Sequence, residues 1–135
     1  AVQRALEALT QAQTLGRLTR ATHAAAFADP DGRVRLSRED VGRHNALDKL
    51  AGAMASAALD ASQGFIVVTS RCSFEMVEKA VRIGCPILVA VSAPTELAIR
   101  KAQEAGLTLV ALARADGHTV FSRADRLVEA ALETV

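Results

Sequence analysis

The sequence predicts one α/β domain in which helices pack on a buried, mixed sheet. Strand-like and helix-like apolar patterns alternate along residues 65–113, which is typical of β-α-β units. Half of the residues are hydrophobic but only 3% are aromatic, so the core must consist of alanine, valine, leucine and isoleucine. The 135 residues suffice for a single domain, and no linker or internal repeat divides them.

The predicted elements rest on apolar spacing and on turn residues. In chain order they are a helix over residues 2–16, strands over 22–28 and 34–39, a helix over 41–58, a strand over 65–69, a helix over 73–83, a strand over 86–91, a helix over 94–105, strands over 107–113 and 119–121, and a helix over 126–133. Short runs that are apolar on both faces suit buried parallel strands. Turn residues at 29–32 and 116–117 predict hairpins, and Gly84 and Gly106 end two helices.

One polar segment, residues 39–49, crosses a predicted strand-to-helix junction. Asp40 lies where an N-cap is expected, and Gly42 would let the backbone approach a ligand closely. The pairs that share a helical face are His44 with Asp48 and Asn45 with Lys49. Because a helix N-terminus attracts anions, the segment favours a ligand site over its alternative, a solvated first turn.

Two further polar loops, residues 69–73 and 92–95, follow predicted strands. Ligands bind where parallel strands end, so we expect these loops and residues 39–45 to converge on one sheet edge. Arg71 and the neighbouring serines, Ser70 and Ser73, could hold a phosphate. The alternative is that Ser70 or Ser73 only caps a helix and that Arg71 is solvated. Ser92 and Thr95 have the same two interpretations, and the cap is favoured for them.

The two cysteines differ in their surroundings. Cys72 is a candidate nucleophile because a helix N-terminus and Arg71 would lower the pKa of its thiol. The alternative is a small buried residue. Cys85 precedes a buried strand and is predicted to be structural. Two cysteines without metal-ligand companions favour reduced thiols and the cytoplasm.

Charge and hydropathy exclude some partners. The net charge of +1 and the absence of Trp and Tyr give no support for nucleic-acid binding. No apolar run approaches the roughly 20 residues that span a bilayer, and the first residues show no signal-peptide pattern. We therefore expect neither a nucleic-acid nor a membrane partner.

Three motifs carry a resemblance to a known family. They are Glu-Asp-Val-Gly-Arg-His-Asn-Ala-Leu-Asp-Lys (residues 39–49), Ser-Arg-Cys-Ser-Phe-Glu-Met (residues 70–76) and Val-Ala-Val-Ser-Ala-Pro-Thr (residues 89–95). In order and spacing the chain resembles the formate dehydrogenase accessory sulfurtransferase family (FdhD). The resemblance covers nearly the whole chain and corresponds to the C-terminal part of a longer family member. It implies a three-layer α/β/α sandwich like that of cytidine deaminases.

The resemblance implies a sulfurtransferase. Family members pass sulfur from a cysteine desulfurase to the molybdenum cofactor, bis-molybdopterin guanine dinucleotide, of formate dehydrogenase, and they form homodimers. Their sulfur-carrying cysteines lie in an upstream Cys-x-x-Cys loop, which this chain lacks, so Cys72 is a weak candidate for the persulfide carrier. The alternative function is a noncatalytic chaperone module that binds the cofactor or a guanine nucleotide. A zinc site is not expected, because the Pro-Cys-x-x-Cys pair of deaminases is absent.

The resemblance also assigns cofactor binding. In the family, the stretch corresponding to residues 121–126 is associated with the guanine dinucleotide, whereas the residues alone would suggest a core Phe and surface arginines. We expect GDP to act as a partial mimic. The predicted cofactor-binding residues are Arg43, His44, Asn45, Arg71, Ser73, Ser92, Phe121, Ser122, Arg123, Ala124, Asp125 and Arg126. His23 follows Arg20 and Ala21 where family members are glycine-rich, so its role stays open.

Overall fold

The structure, a computed structural model, describes residues 2, 4, 5, 7, 8, 23–114 and 117–120. Its elements, in chain order, are β1 (His23–Ala28), β2 (Val34–Asp40), α1 (Arg43–Ser56), a 3-10 turn (Ala61–Gln63), β3 (Phe65–Val68), α2 (Phe74–Ile83), β4 (Ile87–Ala90), α3 (Glu96–Ala105), β5 (Thr108–Arg114) and β6 (Gly117–Val120). The described residues at 2–8 are helical, as predicted. The predicted helix over residues 126–133 lies outside the described residues.

The sheet has the strand order β2-β1-β3-β4-β5-β6. Strands β3, β4 and β5 are parallel, whereas β1 is antiparallel to both β2 and β3, and β6 is antiparallel to β5. The prediction of a mixed sheet is therefore confirmed. Because β2 runs in the same direction as the three parallel strands, the carboxyl ends of β2, β3, β4 and β5 lie at one sheet edge.

Helices cover both faces of the sheet. Successive residues of β3 alternate between two buried clusters, with Ile66 in one and Val67 in the other, as the period of a strand requires. The first cluster contains the buried residues of α1, α2 and α3, and the second contains Val2 and Ala5 of the N-terminal helical residues. The predicted three-layer α/β/α arrangement is therefore confirmed.

Helix α1 is shorter than the predicted helix over residues 41–58 at both ends, and α3 starts two residues later than predicted. Helix α1 ends at Ser56 and not at Ala58, because Ala58 has a left-handed backbone with φ of 55°. The Leu59 N–H donates to Met54 O at 3.0 Å and completes this helix end. Gly84 and Gly106 end α2 and α3 in the same left-handed region, as predicted. Among the described helices, none is long and apolar enough to cross a membrane.

Candidate functional site

The three predicted loops lie at one sheet edge, where β2, β3 and β4 end. The loops after β3 and β4 are in direct contact, since Cys72 and Pro94 form a parallel bridge and the Thr95 N–H donates to Cys72 O at 3.1 Å. The loop after β3 is also bonded to β1, because the Ala24 N–H donates to Thr69 Oγ1 at 2.9 Å. The predicted convergence on one edge is therefore confirmed.

Asp40 is bonded within its own segment. Its Oδ1 accepts the Gly42 N–H at 2.9 Å, and its Oδ2 lies 2.6 Å from Lys49 Nζ, which also donates to Glu39 O at 3.3 Å. The bond from Lys49, followed by that from Gly42, holds the pKa of Asp40 below its usual value, and the Asn45 amide adds a smaller contribution. A Cβ on Gly42 would lie 3.1 Å from Asn45 Nδ2, so a larger residue there would require the exposed Asn45 side chain to shift slightly.

The prediction that Asp40 caps α1 is wrong. Strand β2 continues through Asp40, which pairs with His23 of β1, and Gly42 is the N-cap residue without any side-chain bond. The Asp40 carboxylate instead closes the turn between the strand and the helix. Asp40 and Lys49 therefore bond within residues 39–49 and stabilise the local backbone.

A second lysine holds the other side of α1. Lys79 of α2 places its Nζ 2.9 Å from Asp48 Oδ1 and 3.4 Å from His44 O. Its side chain is 25% exposed, so this contact is partly shielded from water. The sequence analysis missed Lys79 because 35 positions separate it from His44 and no local spacing links them.

The predicted ligand residues differ in how exposed their side chains are. Arg43 opens α1, but its side chain is not described; His44 is half-buried and Asn45 is exposed. Arg71 is exposed and Ser92 is half-buried. Within the described part of the chain, the Arg71 and Ser92 side chains form no hydrogen bond or ion pair.

The serine hydroxyls beside α2 do not act as caps. Ser73 is the N-cap residue of α2, but its Oγ is buried and has no hydrogen-bond partner among the described residues. The Met76 N–H bonds to Ser73 O and not to the hydroxyl. Direct contact of this Oγ with a phosphate would require the side chain to rotate. Thr95, in contrast, caps α3 by accepting the Ala98 N–H at 3.1 Å, as one of the alternatives predicted.

Cys72 is a core residue. It is fully buried and packs in the same cluster as Met76 and Val77. Burial raises the pKa of its thiol to about 12, so the prediction that helix α2 and Arg71 lower this pKa is wrong. Cys85 is 3% exposed, as predicted for a structural residue, and burial raises its pKa to about 11. Both thiols are unpaired and stay protonated at neutral pH.

The last predicted site residues, 121–126, follow strand β6 in the sequence. Strand β6 starts at the edge where the loops converge and runs away from it, because it is antiparallel to β5. Beyond the described residues, and therefore still predictions, are Phe121, Ser122, Arg123, Ala124, Asp125 and Arg126. Over residues 23–114 and the other described positions, no three His, Cys, Asp or Glu side chains lie close enough to hold a metal ion.

Comparisons with known proteins agree with the motifs. A sulfur carrier protein FdhD of Agrobacterium fabrum is 56% identical over 124 residues, which are 92% of this chain and 46% of that protein. A protein of the same name from Xanthomonas euvesicatoria pv. vesicatoria is 56% identical over 127 residues, covering 94% and 45% of the two chains. A crystal structure described as a formate dehydrogenase accessory protein from Desulfotalea psychrophila matches with a TM-score of 0.84 at 31% identity.

The match covers one part of longer proteins. It includes 93% of this chain and 54% of the Desulfotalea chain, and the chain spans about half the length of the relatives that it matches. The model of the FdhD/NarQ family matches residues 1–128. The chain therefore belongs to the FdhD/NarQ family.

Proposed function

We propose that this chain is the cofactor-binding part of a sulfurtransferase accessory protein for formate dehydrogenase. The complete protein would take sulfur from a cysteine desulfurase and pass it to bis-molybdopterin guanine dinucleotide, the molybdenum cofactor of that enzyme. Membership of the family supports the sulfur-transfer role. The observation that carries the cofactor-binding role is the convergence on one sheet edge of three polar loops, which open helices α1, α2 and α3.

The electrostatics of the helix starts favour α1 as the diphosphate site. Free N–H groups and the helix dipole attract anions there. The first turn of α1 has no acidic residue, whereas the first turns of α2 and α3 contain Glu75 and Glu96, which compete for this positive potential. Asp40 and Asp48, on either side of the α1 start, are each paired with a lysine. Among the described acids of residues 39–49, the Glu39 carboxylate is the one without an ion pair, so two of the three negative charges near this helix start are neutralised.

Side chains from three loops would complete the site. Arg71, from the loop before α2, offers a planar set of donors that can bond two phosphate oxygens at once. Ser92 would add a hydroxyl from the loop after β4. Phe121, on the guanine, and Arg126, on the phosphates, stay in the proposal on the family resemblance alone, because they follow the end of β6 that points away from this edge. When bound, the cofactor would supply the molybdenum centre that receives sulfur, and this chain would hold and orient it.

The sulfur itself would travel on another cysteine. Cys72 and Cys85 are buried, and their raised pKa values keep them as thiols, so neither is suited to accept sulfur from a desulfurase. We place the persulfide on a cysteine outside residues 1–135 of the complete protein. The reaction is proposed to occur in the cytoplasm, where such thiols stay reduced.

Persulfide formation tests this proposal. The full-length protein, incubated with a cysteine desulfurase and free cysteine, should acquire a protein-bound persulfide that mass spectrometry detects and dithiothreitol removes. If no persulfide forms and formate dehydrogenase matures without the protein, the proposal is wrong. If maturation needs the protein but no persulfide forms, the chaperone alternative is correct, since that module only binds and delivers the cofactor.

Arg71→Ala should weaken GDP binding by about tenfold to a hundredfold, because a hydrogen bond to a charged group contributes roughly 1.5–3 kcal/mol. Isothermal titration calorimetry on the 135-residue chain measures this affinity. Arg82→Ala is the matched control, since Arg82 is 79% exposed on the body of α2, and its one ion pair within the described part of the chain is with Glu78, at 3.8 Å. Equal affinities for the wild type and Arg71→Ala would remove this loop from the site.

A homodimer is the remaining part of the proposal. The helix face proposed for close packing contains Ala51, half-buried, and Ala55, exposed, whereas Ala58 lies beyond the end of α1. Sedimentation velocity at micromolar concentration should show a dimer. A monomer at every concentration would contradict the proposed assembly.

A further inference from the structure

We propose that Lys79 is a positioning residue that fixes the first turn of α1 against α2, so that the N–H groups of this turn face an anionic ligand. The inference rests on the proposed function, because it concerns the phosphate site at the start of α1. It assigns a role to a side chain that lies in the middle of α2, outside the polar loops.

Two lysines hold the start of α1 in the same way. Each one bonds a carboxylate and a main-chain carbonyl: Lys49 bonds Asp40 and Glu39 O on the side of β2, and Lys79 bonds Asp48 and His44 O on the side of α2. The first turn of α1 is therefore tied both to the strand before it and to the neighbouring helix.

The bond to His44 O explains how Lys79 would influence ligand binding at the start of α1. Carbonyl groups of a helix point toward its C-terminus and N–H groups toward its N-terminus, so the two sets are rigidly related. Holding the carbonyl of His44 thus sets the tilt of the turn whose free N–H groups point out of the helix start. Lys79 acts through that turn and not by direct contact with the ligand.

A second cation on the same helix, Arg82, provides the comparison for Lys79. Arg82 lies one turn further along α2 and is 79% exposed, and among the described residues its ion pair is with Glu78 of its own helix. Lys79 is 25% exposed and spans from α2 to α1. A loss of charge at the two positions should therefore have different effects on ligand binding, although both substitutions remove a cation from α2.

The test is GDP affinity measured by calorimetry for Lys79→Met, Lys79→Arg and the control Arg82→Met. Lys79→Met keeps the length of the side chain but removes the ammonium, and it should weaken binding about tenfold, whereas Arg82→Met should bind like the wild type. Lys79→Arg, which restores the charge and the donors, should recover most of the affinity. Thermal unfolding of each variant shows that binding is measured on folded protein.

Double-mutant cycles separate positioning from a general loss of stability. The effect of Lys79→Met should be strongly non-additive with Asp48→Asn, which removes the carboxylate that pairs with Lys79, and additive with Arg71→Ala, which alters a different loop. If Lys79→Met lowers the unfolding temperature but leaves GDP affinity unchanged, or if both cycles are additive, the inference is wrong. If the wild type itself binds no GDP, the proposed function fails, and this inference fails with it.

Discussion

The Gly64→Ala substitution is expected to lower the free energy of unfolding by roughly 2–4 kcal/mol, because the new methyl group has no space. A Cβ at this position would lie 2.1 Å from the carbonyl oxygen of Ala28 and 2.8 Å from a ring carbon of Phe27. Ala28 pairs with Phe65 in the sheet, so its carbonyl cannot move without displacing β1 from β3. The clash therefore disturbs the junction between the antiparallel and the parallel parts of the sheet.

The matched control is Gly52→Ala, on the exposed face of α1. No atom lies within 4 Å of a Cβ built there, and alanine is the better helix former, so this variant should gain about 0.5–1 kcal/mol. Urea unfolding followed by circular dichroism measures both changes. If Gly64→Ala unfolds at the wild-type midpoint, the close approach of Gly64 to Ala28 is not present in solution.

The order and type of the elements could be predicted because they depend on local patterns. Two-sided apolar runs produce β3 and β4, and Gly84 ends α2 where a left-handed residue is needed. The direction of the strands then places the carboxyl ends of β2, β3 and β4 at one edge. For this reason the location of the candidate site could be predicted without knowledge of any single contact.

The side-chain roles could not be predicted, because they depend on contacts between distant residues. Asp40 has the residue type of an N-cap, but pairing with His23 keeps it in β2 and leaves the cap position to Gly42. Cys72 follows an arginine and precedes a helix, yet it points into the core, and burial raises its pKa to about 12. No local sequence pattern connects Lys79 with His44.

Raising the pH from 7 to about 10 is expected to lower the free energy of unfolding by roughly 3 kcal/mol through the two buried thiols. Burial raises the pKa of Cys72 to about 12 and that of Cys85 to about 11, from an ordinary thiol value of 9.0. The folded protein therefore holds both thiol protons more tightly than the unfolded chain does. This stability is complete below about pH 9 and is lost as the pH rises toward the folded pKa values, by about 1.4 kcal/mol per thiol for each pH unit.

Urea unfolding at a series of pH values measures this loss, and substitution separates the two thiols. Cys72→Ala should remove about half of the dependence between pH 9 and 10, and Cys85→Ala should remove a similar share, because each variant retains one buried thiol. The chain has no tyrosine, so phenol ionisation does not contribute in this range. All other ionisable groups are common to the wild type and both variants.

Alkylation tests the functional consequence of the same burial. In the folded protein at pH 8, iodoacetamide should modify both thiols about a thousandfold more slowly than it does in urea, because neither thiol is exposed or ionised. Lys79→Met, which alters the candidate site without touching the core, should leave this protection intact. Rapid labelling of Cys72 in the folded wild type would instead show an accessible thiolate. That result would make Cys72 a candidate for the persulfide carrier and remove the reason for placing the carrier outside this chain.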